Sequence, residues 1–291
     1  MNIGNQELEN HGDPSLGAAT VDWVDRASQL VPIIESAVDR IESERKIPAD
    51  VMSALHGAEL FRMCLPSWLG GGETTPLTVF HVAETISAAD ASTAWCLGQA
   101  LGCSRMAGFL DREVALEVFA RPDAVLAWGP PDGSANAVVV DGGYRVTGNW
   151  QFTSGIRNAN WLGPICAVVN PDGTPRLDED GKPVHRSMLL PITSATVTDV
   201  WHVIGLRGTG SDSFAVSDLF VPEAFSFNRD GAADRREDGP LYRMAMTTFY
   251  AIAFAGVALG IARAALDAFF ILAAEKKPSY WSTVLRENPA V

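Results

Sequence analysis

The sequence predicts an α+β chain in which a helical region, a small β-domain and a second helical region follow one another. Three observations predict it. Apolar residues recur at three-to-four spacing up to about residue 120, with no β-type alternation. Short strand-like runs separated by Gly, Asp and Pro follow Pro122. Helical patterning returns from Leu241 to Ala274, after a charged linker at Asn228 to Pro240. The boundaries that result are 1–19 for a polar tail, 20–122 for an N-terminal helical domain, 123–228 for a middle β-domain and 229–291 for an incomplete C-terminal helical domain.

The first helix spans Val21 to Arg45, with Val24, Ala27, Val31, Ile34, Val38 and Ile41 on one face. Pro48 opens a short helix that runs through Leu60, because a first helical turn tolerates proline. Gly70-Gly71-Gly72 then stops helical structure. Helix is expected from Thr78 to Leu101, and again from the N-cap Asp111 to Ala120. The strands expected next are Val125 to Trp128, Ala137 to Val140, Tyr144 to Val146, Trp150 to Thr153, Trp161 to Val169, Ser187 to Pro191, Thr196 to Val203 and Ser213 to Val221. Asp141-Gly142-Gly143 reads as a tight hairpin turn, and Asn170 to Pro183 as a polar surface loop. Regular short strands of this kind build a small sandwich or barrel. In the last helical region Gly256 and Gly260 lie one turn apart and permit close helix packing. Tyr280 to Val291 carries a further helix-like pattern.

Composition narrows the function. The chain has 291 residues, of which 47% are hydrophobic and 20% charged, so a core of ordinary size can form. A net charge of −13 argues against nucleic acid and against an anionic membrane surface. Arg263 and Asp267 interrupt the most apolar stretch, Ala251 to Ala274, which speaks against a membrane span. Cys64, Cys96, Cys103 and Cys166 sit among apolar or small residues with no metal-type spacing and read as buried thiols of a cytoplasmic protein. His81 and His202 pair with no cysteine or carboxylate at ligand spacing, so no metal is expected.

The informative residues lie in the middle domain. Thr147-Gly148-Asn149-Trp150-Gln151-Phe152-Thr153-Ser154-Gly155, followed by Ala159-Asn160-Trp161, resembles the flavin-contacting strand of the acyl-CoA dehydrogenase superfamily. Leu65-Pro66 with Gly70-Gly71, Ala89-Asp90-Ala91-Ser92, and Val203 to Asp212 continuing to Val221-Pro222-Glu223 resemble further family segments, in the same order. By alternation, Trp150, Phe152 and Ser154 project from one face of their strand. Alone, that strand reads as a sandwich strand whose Trp150 and Phe152 are core. With the other motifs in register, the resemblance implies that Phe152 stacks near the isoalloxazine of a flavin, FAD or FMN, and that Ser154 hydrogen-bonds it.

The loop Trp128-Gly129-Pro130-Pro131-Asp132-Gly133-Ser134 departs from the dehydrogenase pattern Thr-Glu-Pro before Gly-Ser. Trp128 stands in the place of the Thr that contacts the flavin and Gly129 in the Glu place, while Pro130, Gly133 and Ser134 keep the pattern, so the resemblance implies Trp128, Gly133 and Ser134 as cofactor-binding residues. A large apolar residue there fits a drier pocket. The Gly148-x-Trp150-x-Phe152-x-Ser154-Gly155 arrangement resembles the sister branch of two-component flavin-dependent monooxygenases, which hydroxylate aromatic or polycyclic substrates. That branch takes reduced flavin from a separate flavin reductase. Arg207, in the turn Leu206-Arg207-Gly208-Thr209-Gly210-Ser211, is a further cofactor candidate, because Arg offers a planar fork for a phosphate or a flavin edge. Its competing reading is a surface Arg in a β-turn.

The resemblance also implies a C-terminal four-helix bundle, of which this sequence holds the first helix and part of a second. The catalytic acid/base group would lie late in that bundle and has no counterpart to name here. A homotetramer or homodimer is implied once the bundle is completed. The competing functions are an acyl-CoA dehydrogenase using FAD, and an inactive fragment or partner-binding subunit.

Overall fold

The computed structural model describes residues 19–229 and 231–287. The expected polar tail, up to residue 18, and the last four residues lie outside them. The described chain is α+β, in the expected order.

The N-terminal region contains helices α1 (Ala19–Glu44), α2 (Ala49–Gly57), α3 (Pro76–Ala89), α4 (Ala91–Ser104) and α5 (Arg112–Phe119). On α1 the buried stripe is Ala27, Ile34, Ala37 and Ile41, with Val24, Val31 and Val38 at its edge. Pro32 lies inside α1 on its exposed side, where water can take the Ser28 carbonyl that loses its helical donor. The helix expected across Thr78 to Leu101 is two helices. Asp90 is extended, at φ −152°, and its carboxylate accepts from the amide of Thr93 at 2.6 Å, which starts α4. Burial raises the Asp90 carboxyl above its ordinary range.

The middle region holds ten strands in two sheets. The larger runs in the order β10 (Ser226–Phe227), β6 (His185–Met188), β5 (Ile165–Val169), β2 (Asn136–Val140), β3 (Gly143–Thr153), β9 (Asp212–Pro222) and β8 (Thr196–Thr198). The smaller is β1 (Leu126–Ala127), β4 (Trp161–Leu162) and β7 (Leu190–Pro191). Ala127, Leu162 and Leu190 from the small sheet share one apolar core with Val146, Trp150, Cys166, Met188 and Phe214 from the large one. This is the expected sandwich. Asp141 and Gly142 turn the β2–β3 hairpin, with Gly142 at φ +73°.

Several strand expectations need correction. Tyr144 to Val146 and Trp150 to Thr153 belong to one long strand, β3. Trp161 to Val169 divides at Gly163-Pro164 into β4 and β5, one in each sheet. Ser187 to Pro191 divides between the sheets in the same way, as β6 and β7. Only Thr196 to Thr198 is strand in the segment expected to reach Val203, because the chain leaves β9 there to form a loop.

Helix α7 (Met246–Glu275) follows the short α6 (Pro240–Arg243). The two are not continuous, because Met244 is extended and gives its carbonyl to the guanidinium of Arg105. A β-carbon on Gly256 would lie 2.4 Å from the carbonyl of Phe80, and one on Gly260 2.3 Å from that of Glu84. The two glycines therefore let α7 pack against the backbone of α3. The far half of α7 exposes Leu266, Phe269, Phe270, Ile271 and Leu272. By length and composition α7 is apolar enough to cross a membrane, so Arg263 and Asp267 do not exclude a span by themselves. Its packing on α3 is the argument for a core helix. Described residues beyond α7 form one 3-10 turn at Leu285–Glu287 in place of the expected helix. Tyr280, at φ +70°, breaks the helical path.

All four cysteines are free and buried, as expected. Burial pushes the thiols of Cys64 and Cys166 up to about 12, and those of Cys96 and Cys103 further. A thiol-disulfide reagent at about pH 8 should find no reactive thiol in the native protein, and all four after denaturation. A fast-reacting native thiol would contradict the packing described.

Candidate functional site

Strand β3 carries the central segment, and a bulge decides what it presents. Trp150 pairs with Phe214 on β9, and Thr153 with Asp212. Three steps along β3 therefore oppose two along β9, and Phe152 takes φ +52° at the extra position. Trp150 points inward, fully buried. It stacks on Phe214 at 5.0 Å and donates its indole N–H to the carbonyl of Ile165 at 2.9 Å. Phe152 points outward and is 60% exposed, with its edge toward Trp201 at 6.0 Å. Thr153 takes the next inward place. The expectation that Trp150, Phe152 and Ser154 share a face is thus overturned: the bulge separates Trp150 from Phe152.

Past the bulge, Gly155 turns the chain at φ +79°, and its amide donates to the carbonyl of Thr209 at 2.8 Å. This joins the β3 turn to the glycine-rich turn of residues 206–210. Ser154, buried between them, accepts from the indole N–H of Trp95 at 3.0 Å, and its Oγ lies 2.8 Å from that of Ser211. Trp95 stacks on Phe254 of α7 at 4.0 Å, and Phe254 stacks on Tyr250 at 5.4 Å. One aromatic column therefore links α4, α7 and the β3 turn.

The loop before β2 lies along β3. The amide of Gln151 donates to the carbonyl of Pro130 at 3.0 Å, and that of Asp132 to the carbonyl of Asn149 at 3.1 Å. A β-carbon on Gly129 would lie 2.0 Å from the carbonyl oxygen of Gln151, so this approach requires glycine. Gly133, at φ +94°, faces open space. Ser134 is exposed and donates to Asp132 at 2.6 Å, which lowers the Asp132 carboxyl. Trp128 is buried, donates its indole N–H to the hydroxyl of Tyr250 at 2.8 Å and carries Arg229 over its ring at 5.2 Å. Burial raises the Tyr250 phenol far above its ordinary range.

The structure therefore brings Gly133 and Ser134 beside β3, and Phe152 and Ser154 onto one turn. It places Trp128 in the core behind them. Arg207 begins the glycine-rich turn, but its guanidinium faces Glu42 on α1 at 3.6 Å. An ionic cluster missed in the sequence pins this turn and the loop that precedes it. Arg157 binds Asp212, 2% exposed, through two contacts of 2.6 and 3.0 Å, and also reaches Asp199 at 2.8 Å. Arg45 holds the other side of Asp199 at 2.6 Å, and these two cations press its carboxyl down to about 2. Sequence reasoning also missed Trp95, Thr209, Tyr250 and Phe254 as neighbours of the site. Trp95 and Phe254 carry only the signal of helical core residues. Thr209 lies inside the glycine-rich motif and could have been found there.

Comparison with known proteins identifies the class. Residues 29–118 match the family described as acyl-CoA dehydrogenase, N-terminal domain. The chain superposes on XiaF from Streptomyces sp. in complex with FADH2 and glycerol with a TM-score of 0.82. The sequence identity is 29%, covering 93% of this chain and 68% of that one. The N-terminal region thus carries an acyl-CoA dehydrogenase N-terminal domain. In sequence the chain is similar to flavin-dependent monooxygenases. It is 30% identical to the oxygenase component of an FADH(2)-dependent resorcinol hydroxylase of Rhizobium sp. (strain MTP-10005), over 90% of this chain and 64% of that protein. It is 32% identical to the oxygenase subunit HsaA of a flavin-dependent monooxygenase of Rhodococcus jostii (strain RHA1), over 84% and 63%. The chain thus spans just under two thirds of the length of these curated relatives.

Proposed function

We propose that this protein acts as the oxygenase component of a two-component flavin-dependent monooxygenase, taking reduced FAD or FMN from a separate reductase and hydroxylating an aromatic small molecule. The observation that carries this reading is the β3 turn. It exposes the ring of Phe152 and sets it two residues from the buried hydroxyl of Ser154. An apolar ring face and a polar edge are what a flavin ring needs from its binding wall. The residues present fit that group. Reduced flavin, when bound, supplies the two electrons with which dioxygen is split between the substrate and water.

The chain's own residues hold and shield that group. Phe152 gives the ring a flat apolar surface, backed by Trp201. Ser154 hydrogen-bonds its polar edge. Gly133 and Ser134 offer backbone and hydroxyl contacts from the neighbouring loop, and Arg207 a cation from the turn beyond. Trp128 keeps water from the flavin pocket, its indole buried and its N–H donated to Tyr250. The relatives named for resorcinol and for indole-3-acetate support an aromatic substrate. Four buried thiols suit a reducing cytoplasm. A homodimer or homotetramer is the assembly implied by the family.

An anaerobic titration of the purified chain with oxidised and reduced FAD and FMN tests the reading. Reduced flavin should bind more tightly. Tighter retention of oxidised FAD, bleached by an acyl-CoA thioester, would instead establish a dehydrogenase. Binding of neither redox form would remove the flavin reading altogether.

A further inference from the structure

Ser154 heads a buried row of hydroxyl groups. Trp95 Nε1 donates to Ser154 Oγ at 3.0 Å, and Ser154 Oγ lies 2.8 Å from Ser211 Oγ. Ser211 Oγ lies 2.7 Å from Thr209 Oγ1, which in turn lies 2.9 Å from the carbonyl oxygen of Leu206.

The two ends decide which way the protons run. A carbonyl only accepts, so Thr209 gives Leu206 its single proton. Thr209 must then accept from Ser211, and Ser211, its proton spent, must accept from Ser154. An indole N–H only donates, so Ser154 accepts from Trp95. This order makes every bond in the row, and any other order loses at least one. The same carbonyl also accepts from the indole of Trp201 at 3.0 Å and the amide of Thr209 at 3.2 Å. Burial enforces the order, because Ser154, Thr209 and Ser211 are 8%, 1% and 3% exposed. A hydrogen bond left unmade at such sites is not replaced by water.

A consequence follows for any third partner of the Ser154 hydroxyl. Its one proton is committed to Ser211, and one of its two lone pairs to Trp95. Only an accepting position is left. We propose that Ser211 and Thr209 are positioning residues that make Ser154 an acceptor-only contact, and that this contact selects reduced over oxidised flavin. The proposal rests on the reading of the β3 turn as the flavin site. Reduced flavin carries an N–H at N5, whereas oxidised flavin carries a lone pair there. An acceptor-only hydroxyl bonds the first and repels the second. Neither Ser211 nor Thr209 needs to touch the flavin.

The test uses the full chain and three variants, Ser211→Ala, Thr209→Val and Thr209→Ser, titrated anaerobically with oxidised and reduced flavin. Ser211→Ala frees the Ser154 proton for donation. The ratio of oxidised to reduced Kd is expected to fall by about tenfold, mostly through tighter oxidised binding. Thr209→Val should move the ratio the same way, and Thr209→Ser, which keeps the hydroxyl, should leave it at the wild-type value. A second readout needs no flavin. The indole N–H resonance of Trp95, assigned with Trp95→Phe, should shift in Ser211→Ala and Thr209→Val but not in Thr209→Ser. Should one variant fail to fold, the other and the indole resonance decide. A wild type that prefers reduced flavin, with that preference unchanged in the folded variants, overturns the hydroxyl row and leaves the flavin reading intact. A wild type that binds neither flavin form overturns both.

Discussion

Replacing Gly129 with Glu, the residue of the dehydrogenase pattern, is expected to destabilise the protein by about 3 kcal/mol. The new β-carbon would lie 2.0 Å from the carbonyl oxygen of Gln151 and 2.7 Å from the Thr153 hydroxyl. The first contact is backbone, so no rotamer relieves it. The loop must lift from β3, and the bonds from Gln151 to Pro130 and from Asp132 to Asn149 are then lost together. Gly129→Ala carries the same β-carbon and should lose nearly as much. Gly133→Ala is the control: it meets open space and suffers only the strain of φ +94°, about 1 kcal/mol. Urea midpoints would measure all three. A Gly129→Ala midpoint equal to wild type would mean that the loop does not lie on β3 as described. The expected result also bears on function, because a single substitution cannot restore the dehydrogenase loop to this scaffold.

The order of helical, β and helical regions was legible because it rests on period, which sequence carries directly. What was not legible depended on contacts between distant segments. The β3 bulge is the clearest case. Alternation predicts Trp150 and Phe152 on one face, and nothing near them in sequence says otherwise. The bulge arises because β9 fixes two points at once: Phe214 stacks on Trp150, and Asp212, two residues away, is held by Arg157. Three residues of β3 must span that interval, and Phe152 is turned outward. The local rule fails at the residue that the resemblance marks for the cofactor, and the failure is what exposes its ring. Asp90 is a similar case at smaller scale. Its apolar neighbours continue the helical period, so only the capping contact to Thr93 reveals that one helix ends and another begins. The candidate residues themselves came from resemblance, and the structure adds their surroundings. Ser154 is more deeply embedded than a lone ligand contact, and Trp128 is committed to the core.

Arg157→Ala is expected to cost about 3 kcal/mol, the lower end of the range for breaking a buried ion pair, because the guanidinium retains some exposure. Asp212 would keep the amides of Val200 and Trp201 as donors but lose its cation inside the fold. Asp212→Asn in the same background removes the stranded charge, so the double variant should recover part of the loss. The coupling energy in that cycle should be about 2 kcal/mol. A purely additive cycle would show that Arg157 matters only through packing. The same variant tests whether the ionic cluster supports the site. Asp199 keeps Arg45 but loses Arg157, so the loop of residues 199–206, which carries Trp201, should exchange its amide hydrogens faster. The pH dependence has a definite sign. The folded-state carboxyl of Asp199 titrates near 2, below its ordinary 3.8, so its hold on this loop is complete above that ordinary value. The hold then weakens as the pH falls through about 2. Wild-type exchange at Val200 and Trp201 should therefore be slow at neutral pH relative to Arg157→Ala, and the difference should shrink as acid protonates Asp199. Because Trp201 backs Phe152, loss of this clamp should weaken flavin binding in both redox states alike. That outcome separates a loosened wall from a change in the proton order at Ser154, which would alter one redox state far more than the other.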